Sequence, residues 1–141
     1  MLDKVISIML IEDDEVDVMN VKRAFRKNNI SNPLYVASNG YEALKLLQDK
    51  SANAIPIPRI ILLDLNMPKM GGIEFLRILR KESELKNISV FVMTTSNEEN
   101  DKIDAYNLNV AGYIVKPLSM ERFILAVSTL KSYWTLCEYP E

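Results

Sequence analysis

Residues 5–14 read VISIMLIEDD, and the interpretation of the whole chain starts from this stretch. The first seven residues are almost continuously apolar, which is typical of a short strand buried on both faces of a parallel sheet. Three carboxylates follow at once. Asp14 stands where a helix N-cap is expected, because the residues after it repeat with helical periodicity. The stretch therefore predicts a buried strand, an acidic run at its carboxyl end and a helix behind it.

Short apolar runs and amphipathic segments alternate along the rest of the chain. We predict further strands at residues 34–37, 59–64, 88–94 and 112–116, and helices at residues 14–28, 40–47, 72–81, 97–109 and 120–134. Five strand–helix repeats predict an α/β fold, a doubly wound five-stranded parallel sheet with helices on both faces. Because crossovers are right-handed, we expect the flavodoxin-like strand order 2-1-3-4-5.

Composition limits the classes of function. The 141 residues suit a single domain over residues 1–141, and the net charge of −2 offers no basic excess for nucleic acid or an anionic membrane surface. There is no histidine, which excludes His-dependent catalysis and His-containing metal sites. The single cysteine, Cys137, cannot form an internal disulfide, and the longest apolar run near the start is far too short to cross a bilayer. We therefore expect a cytoplasmic protein that binds neither nucleic acid nor membrane.

Polar side chains stand where the predicted strands end. The acidic run at residues 12–14 follows the first strand, Asp64 ends the third, Thr94 the fourth and Lys116 the fifth. Ligands of open α/β sheets bind beyond the carboxyl ends of the strands, so we expect these side chains to meet in one shallow cleft. Clustered carboxylates repel unless a cation lies among them, and Mg²⁺ prefers carboxylates, water and phosphate oxygens. With an ammonium and a hydroxyl beside them, the set is typical of phosphoryl transfer to an aspartate.

Four short motifs occur in order at these strand ends. They are Glu12-Asp13, Asp64-Leu-Asn-Met-Pro68 followed by Gly72, Thr94, and Lys116-Pro117. In type and spacing they resemble the signature of the response-regulator receiver domain of two-component signalling, and the resemblance covers the chain from about residue 5 to residue 134. The span between the first two motifs is longer than in compact members of that family, and the connection at residues 51–58 can absorb the surplus.

The resemblance implies a role for each matching residue. Asp64 would accept a phosphoryl group from a phosphohistidine of a sensor histidine kinase. Mg²⁺ would be bound by Asp13, by Glu12 directly or through water, by Asp64 and by the backbone carbonyl of Asn66. Lys116 would pair with the phosphoryl group.

The resemblance also implies a switch and a control of signal lifetime. Thr94 would hydrogen-bond the phosphoryl group and move toward it, and Tyr113 matches an aromatic residue that turns inward on activation. Thr95 stands where a small residue is usual, so we expect tighter access to the site. Asn66 and Ser96 occupy positions at which the family tunes hydrolysis of the acyl phosphate. The peptide bond between Lys116 and Pro117 is cis in such folds.

The function implied is that of a stand-alone receiver, without a DNA-binding output domain, that signals through a conformational change and a change of binding partner. Such a protein catalyses only its own phosphorylation and dephosphorylation. A small Mg²⁺-dependent phosphatase is disfavoured, because Asn66 stands where that chemistry uses a second carboxylate. A flavin carrier is disfavoured, because residues 12–14 are acidic where a phosphate-binding loop is needed. The complete set of motifs disfavours a degenerate receiver that acts only as a scaffold.

Three features keep two interpretations each. The aromatic tail at about residues 135–141, together with Tyr133 and Trp134 before it, resembles that of receivers paired with bacterial phytochromes, which associate as dimers. It indicates either a homodimer with a phytochrome-type kinase as partner, or local packing at the end of the last helix. Tyr113 is either the switch or an edge-strand packing residue. A set of basic residues on the first helix is either a solvated face or a docking patch for an acidic kinase surface: Lys22, Arg23, Arg26 and Lys27.

Overall fold

Five strands and five helices alternate over residues 5–139, the part of the chain that the computed structural model describes. The strands are β1 (Ile8–Ile11), β2 (Leu34–Ala37), β3 (Ile60–Leu63), β4 (Ser89–Thr94) and β5 (Gly112–Val115). The helices are α1 (Glu15–Lys27), α2 (Gly40–Gln48), α3 (Gly72–Lys81), α4 (Glu99–Asn107) and α5 (Met120–Leu136). No helix in this range is long and apolar enough to cross a bilayer.

The strands form one parallel sheet in the order β2-β1-β3-β4-β5, which confirms the predicted topology. In the central pair, Ile8 lies opposite Ile60 and Ile11 lies opposite Leu63. All residues of β1 and β3 are buried, as their unbroken apolar runs predict. Because the two strands end level with each other, the residues that follow them, Glu12 and Asp64, emerge side by side.

Each face of the sheet has its own apolar core, as predicted for a doubly wound fold. On one face, alternate strand residues such as Ile61 and Val92 pack against α2, α3 and α4. On the other, residues such as Leu10 and Leu62 pack against α1 and α5. Trp134 belongs to this second core, where its ring lies 6.5 Å from that of Phe25, centroid to centroid. The local-packing interpretation is therefore correct for Trp134.

Three elements differ from the sequence-based expectation by two residues or more at a boundary. β1 begins at Ile8 rather than at residue 5, because its partner strands begin opposite that residue. α4 ends at Asn107, shortly before Asn109, whose φ of 62° lies in the left-handed region. α5 continues to Leu136, so the first two residues assigned to the tail are helical. Residues 1–4 and 140–141 lie outside the described residues, so the extent of one domain over 1–141 stays a prediction.

The loop after β3 depends on a close approach by α3. A Cβ atom added to Gly72 would lie 2.8 Å from the carbonyl oxygen of Asp64 and 2.7 Å from Cδ2 of Leu65. The amide of Gly72 donates to the carbonyl of Leu65 at 3.0 Å, which ties the first turn of α3 to the loop. At Gly71 the nearest atom to an added Cβ is 3.5 Å away, and its φ of −72° suits any residue. Only the second glycine is required by packing.

We expect Gly72→Ala to lower the free energy of unfolding by about 1–3 kcal/mol, because the added methyl group meets backbone atoms that cannot move aside without shifting the Asp64 loop. Gly71→Ser is the matched control, because serine suits the N-cap of α3 at least as well as glycine does, and it should lower stability by less than about 0.5 kcal/mol. Urea unfolding of both variants measures the difference. Equal stabilities for the two variants would show that the close approach is not required.

Candidate functional site

Three carboxylates meet at the carboxyl ends of β1 and β3. One oxygen from each of Glu12, Asp13 and Asp64 lies within 4.8 Å of the others. Glu12 and Asp64 are 5% and 7% exposed, whereas Asp13 faces solvent. The backbone hydrogen bonds of the sheet continue one residue past β1 and β3. The amide of Glu12 donates to Ala37 O and that of Asp64 to Ile11 O, each at 3.0 Å, which fixes the backbone of both buried residues. The cluster that the strand-end residues predict is therefore formed.

Among the described contacts, the ammonium of Lys116 is the positive charge next to this cluster. Its ammonium donates to Glu12 Oε1 and to Asp17 Oδ2, both at 2.7 Å. Within residues 5–139 it makes no ion pair with Asp64. The bond to Glu12 joins Lys116 to the carboxylate cluster, whereas Asp17 is a partner that no sequence motif indicated. The peptide bond between Lys116 and Pro117 is cis, as the resemblance implies.

Burial and charge act in opposite directions on this ion pair. Burial raises the pKa of Glu12 to about 7, the charge of Asp64 adds to the rise, and the bonds to Lys116 and to the amide of Asp14 oppose it. Burial also disfavours the charged form of Lys116, but hydrogen bonds to Asp17 and Glu12 outweigh it, so the lysine pKa is raised overall. Lys116 therefore stays charged near neutral pH, and the ion pair is lost when Glu12 takes up a proton as the pH falls through about 7.

The loop between β4 and α4 is held by hydrogen bonds that converge on Ser96. Its amide donates to Thr94 Oγ1 at 3.3 Å, and its hydroxyl donates to Asp101 Oδ2 at 2.5 Å. The hydroxyl of Tyr113 donates to the Ser96 carbonyl at 3.0 Å. Thr94 is fully buried, and since its oxygen accepts here, its own proton is not used in this bond. Asp101 is a member of this network that the sequence analysis did not identify.

Tyr113 contacts both the apolar core and the β4–α4 loop, which confirms the packing role, and its role as a switch stays a prediction. Its ring packs, partly buried, against the core formed with α2, α3 and α4. Its hydroxyl is at the same time bonded to the β4–α4 loop. Burial raises its pKa, the bond to Ser96 opposes this, and the nearby charges of Asp101 and Asp64 add to the rise.

Asn66 and Thr95 lie together at the exposed edge of the site. The Asn66 side-chain amide donates to Thr95 Oγ1 at 3.3 Å, and the Asn66 backbone amide donates to Asp64 Oδ1 at 3.2 Å. Asp64 therefore also makes the turn contact expected of an ordinary strand-end aspartate. Both side chains are exposed, so they border the approach to Asp64 from solvent.

The donor set suits a hard divalent cation. Carboxylates within 4.8 Å of one another, two of them buried, repel unless a positive charge lies among them, and the raised pKa of Glu12 reflects that repulsion together with burial. Oxygen ligands of this kind favour Mg²⁺ or a similar ion. The exposed position of Asp13 leaves the cluster open to solvent and to an incoming phosphate.

Residues 8–128 match the response regulator receiver domain family. The chain belongs to this family. It is 35% identical over 127 residues to the probable methanogenesis regulatory protein FilR2 of Methanothrix harundinacea, covering 90% of this chain and 82% of that protein. It is 34% identical over 128 residues to the response regulator Rcp1 of Synechocystis, covering 90% of this chain and 87% of Rcp1.

Solved structures agree with the receiver assignment. The phosphorylated cyanobacterial phytochrome response regulator RcpA has a TM-score of 0.86 and 30% identity, covering 98% of this chain and all of that one (100%). The Mn²⁺-bound form of Rcp1 has a TM-score of 0.84 and 33% identity, with 96% and 99% coverage. This receiver is thus a signalling protein of the two-component type, and phytochrome response regulators are among the proteins to which it is similar.

The pH dependence of stability tests the environment of Glu12. Its pKa of about 7 exceeds the ordinary value of 4.5, so the folded receiver binds more protons than the unfolded chain between these values. The stability contributed by protonated Glu12 is present below pH 4.5 and is lost as the pH rises through 7.

In chelator, we therefore expect the wild-type free energy of unfolding to fall relative to that of Glu12→Gln by on the order of 1 kcal/mol between pH 5 and 8. Urea unfolding of both proteins at several pH values measures this difference. A difference that stays constant across the range would contradict the buried, repelled state of Glu12.

Proposed function

We propose that this receiver accepts a phosphoryl group on Asp64 from a phosphohistidine of a sensor histidine kinase, and that Mg²⁺ is required. The observation that carries the proposal is the carboxylate cluster at the ends of β1 and β3, with buried Asp64 as a member. Lys116 and the hydroxyl of Thr94 supply a cation and a hydrogen-bond donor in the same region. These are the groups that phosphoryl transfer to an aspartate needs.

The ligands proposed for Mg²⁺ are Asp13, Glu12, Asp64 and the backbone carbonyl of Asn66. When bound, the cation neutralises charge on the carboxylates and on the phosphoryl oxygens. Asp13 is exposed and Glu12 is buried, so Asp13 is accessible from solvent while Glu12 lies behind it, against Lys116. The Mn²⁺-bound form of the relative Rcp1 supports a divalent ion at such a site.

The transfer step uses groups of two molecules. An oxygen of the Asp64 carboxylate attacks phosphorus, an O–P bond forms and the P–N bond to the imidazole breaks, so that the electron pair leaves on the imidazole nitrogen. The 141 residues contain no histidine, so the donor imidazole lies outside them. Lys116 and the hydroxyl of Thr94 stabilise the phosphoryl oxygens, and the site itself catalyses only this reaction and its hydrolysis.

The proposed response runs through the loop bonded to Ser96. Phosphorylation replaces one negative charge at Asp64 by about two and adds acceptor oxygens, which favours a hydrogen bond from Thr94. When Thr94 moves toward the phosphoryl group, it pulls on the amide of Ser96, which is hydrogen-bonded to the Thr94 hydroxyl oxygen. The carbonyl of Ser96 in turn accepts a hydrogen bond from Tyr113. We propose that Tyr113 and the start of α4 then shift between two states and change the surface offered to a partner.

The lifetime of the phosphorylated state is proposed to depend on Asn66, Ser96 and Thr95. Asn66 and Thr95 are hydrogen-bonded to each other at the exposed edge of the site, where water must enter to attack the acyl phosphate. Their mutual bond holds this edge partly closed. Ser96 is proposed to act through its amide, which donates a hydrogen bond to Thr94 and so helps to set the conformation of the β4–α4 loop.

The proposed partner is a sensor histidine kinase of the phytochrome type, and the proposed compartment is the cytoplasm. The likeness to RcpA, a phytochrome response regulator, supports the kinase type. A homodimer is proposed as well. Trp134 does not support it, being 8% exposed, but Leu136 at the end of α5 is 83% exposed and is available for an interface. The basic set on α1 is exposed and agrees equally with a solvated face and with a docking patch.

Incubation with Mg²⁺ and acetyl phosphate is expected to add one acid-labile phosphate per chain, and Asp64→Asn should abolish it. Asp13→Asn should slow labelling by about tenfold or more, since one ligand of the cation is lost. Mass spectrometry before and after mild acid treatment measures both effects.

Asp14→Asn is the matched control for the loss of a carboxylate. Asp14 is the N-cap of α1 and accepts from the amides of Val16 and Asp17, and asparagine caps helices equally well. Labelling of this variant should match the wild type. Undiminished labelling of Asp64→Asn, or full labelling in excess chelator, would overturn the proposal.

A further inference from the structure

We propose that Asp17 acts as a positioning residue that holds the Lys116 ammonium away from Asp64 until a phosphoryl group is present. This inference rests on the function proposed above. In the resting receiver the ammonium is shared between Glu12 and Asp17 at equal distances of 2.7 Å. Lys116 thus begins in a different ion pair from the one that stabilises the phosphoryl group.

The two partners of Lys116 are not equivalent. Glu12 belongs to the carboxylate cluster, whereas Asp17 is not a member of it within residues 5–139. A cation in the cluster therefore competes with Lys116 for Glu12 but leaves Asp17 untouched. Asp17 is then the partner that retains the lysine in the metal-bound, unphosphorylated receiver.

Asp17 is placed for this task by the start of α1. Asp14 caps the helix, and its Oδ1 accepts from the amide of Asp17 at 3.2 Å, which fixes the backbone of Asp17 in the first turn. The cap is made by Asp14, so the Asp17 carboxylate is not needed for it and turns to Lys116 instead. The side chain of Asp17 is 34% exposed and that of Lys116 17%, so the pair is only partly shielded from water and can exchange partners.

Space for the exchange exists beside the pair. A cavity of about 230 Å³ adjoins both side chains, and its other walls include Val21, Met93 and Phe123. The cavity leaves room beside the lysine stem for its side chain to move. When phosphorylation raises the negative charge at Asp64 to about two, attraction of the ammonium shifts from Asp17 to the phosphoryl oxygens.

Removing the Asp17 carboxylate should move two binding constants in opposite directions. In Asp17→Asn the released ammonium turns to the cluster and competes with the cation, so the Kd for Mg²⁺ alone should rise about threefold, as expected for loss of a partly exposed ion pair. At saturating Mg²⁺ the Kd for beryllofluoride, which mimics a phosphoryl group on a carboxylate, should fall about threefold, because Lys116 no longer has to leave Asp17. Isothermal titration calorimetry measures both constants.

Three further variants separate positioning from general charge or structural effects. Glu15→Gln removes the same charge from the same exposed first turn of α1 and should leave the beryllofluoride constant unchanged. Asp17→Glu, which keeps the carboxylate, should restore both constants toward the wild type. In the Lys116→Met background, Asp17→Asn should alter the Mg²⁺ constant no more than Glu15→Gln does.

The inference is overturned if both constants of Asp17→Asn move in the same direction, if they match those of Glu15→Gln, or if the effects persist without Lys116. Failure of the proposed function has a different signature. Wild-type receiver would then not bind beryllofluoride in the presence of Mg²⁺, or would bind it equally after Asp64→Asn, and both proposals would be lost. Binding by the wild type with no effect of Asp17→Asn removes only the role of Asp17.

Discussion

Parallel hydrogen bonding between β1 and β3 is the constraint on which the site depends. The two strands pair in register over their full length and end level, and the ladder continues to the amide of Asp64. The residues that follow the two strands are therefore neighbours, and the carboxylates of Glu12 and Asp64 lie close together at a buried edge of the sheet. Apolar cores on both faces keep the strands in this register. The free energy of hydrophobic burial therefore offsets the repulsion between the two carboxylates.

Positive charge compensates only part of the repulsion between these carboxylates. Lys116 reaches Glu12 from the end of the edge strand β5, and the exposed side of the cluster at Asp13 is open to a cation. Both the Lys116 ammonium and a cation in the cluster can be exchanged. Lys116 has a second partner in Asp17, and the cluster is open to water. Under the proposed function, partners that can exchange allow the site to respond when a phosphoryl group is added, whereas a fully paired salt-bridge network would resist that change.

Much of this arrangement could be predicted because it follows from periodicity and from strand ends. The unbroken apolar run of residues 60–63 indicated a central strand, and Asp64 after it indicated a carboxylate at the ligand-binding edge. Asp17 was missed because its sequence context, three residues after an N-cap, is that of an ordinary acidic residue in a first helical turn. Trp134 was ambiguous for a similar reason, since an aromatic residue near a chain end is equally consistent with an interface and with a core.

Local pattern and the order of elements along the chain were enough to predict the alternation of strands and helices, the doubly wound parallel sheet and the acidic, hydroxyl and lysine groups at its edge. Three features became known only from the folded molecule: which carboxylates Lys116 pairs with, the hydrogen bonds of Ser96 with Thr94, Tyr113 and Asp101, and the burial of Trp134. The physical reason is that the contacts of Lys116, Tyr113 and Trp134 join residues far apart in the chain, so they depend on how whole elements pack. The bonds of Ser96 to Thr94 and Asp101 are local, but they depend on the conformation of the β4–α4 loop, which no local pattern encodes.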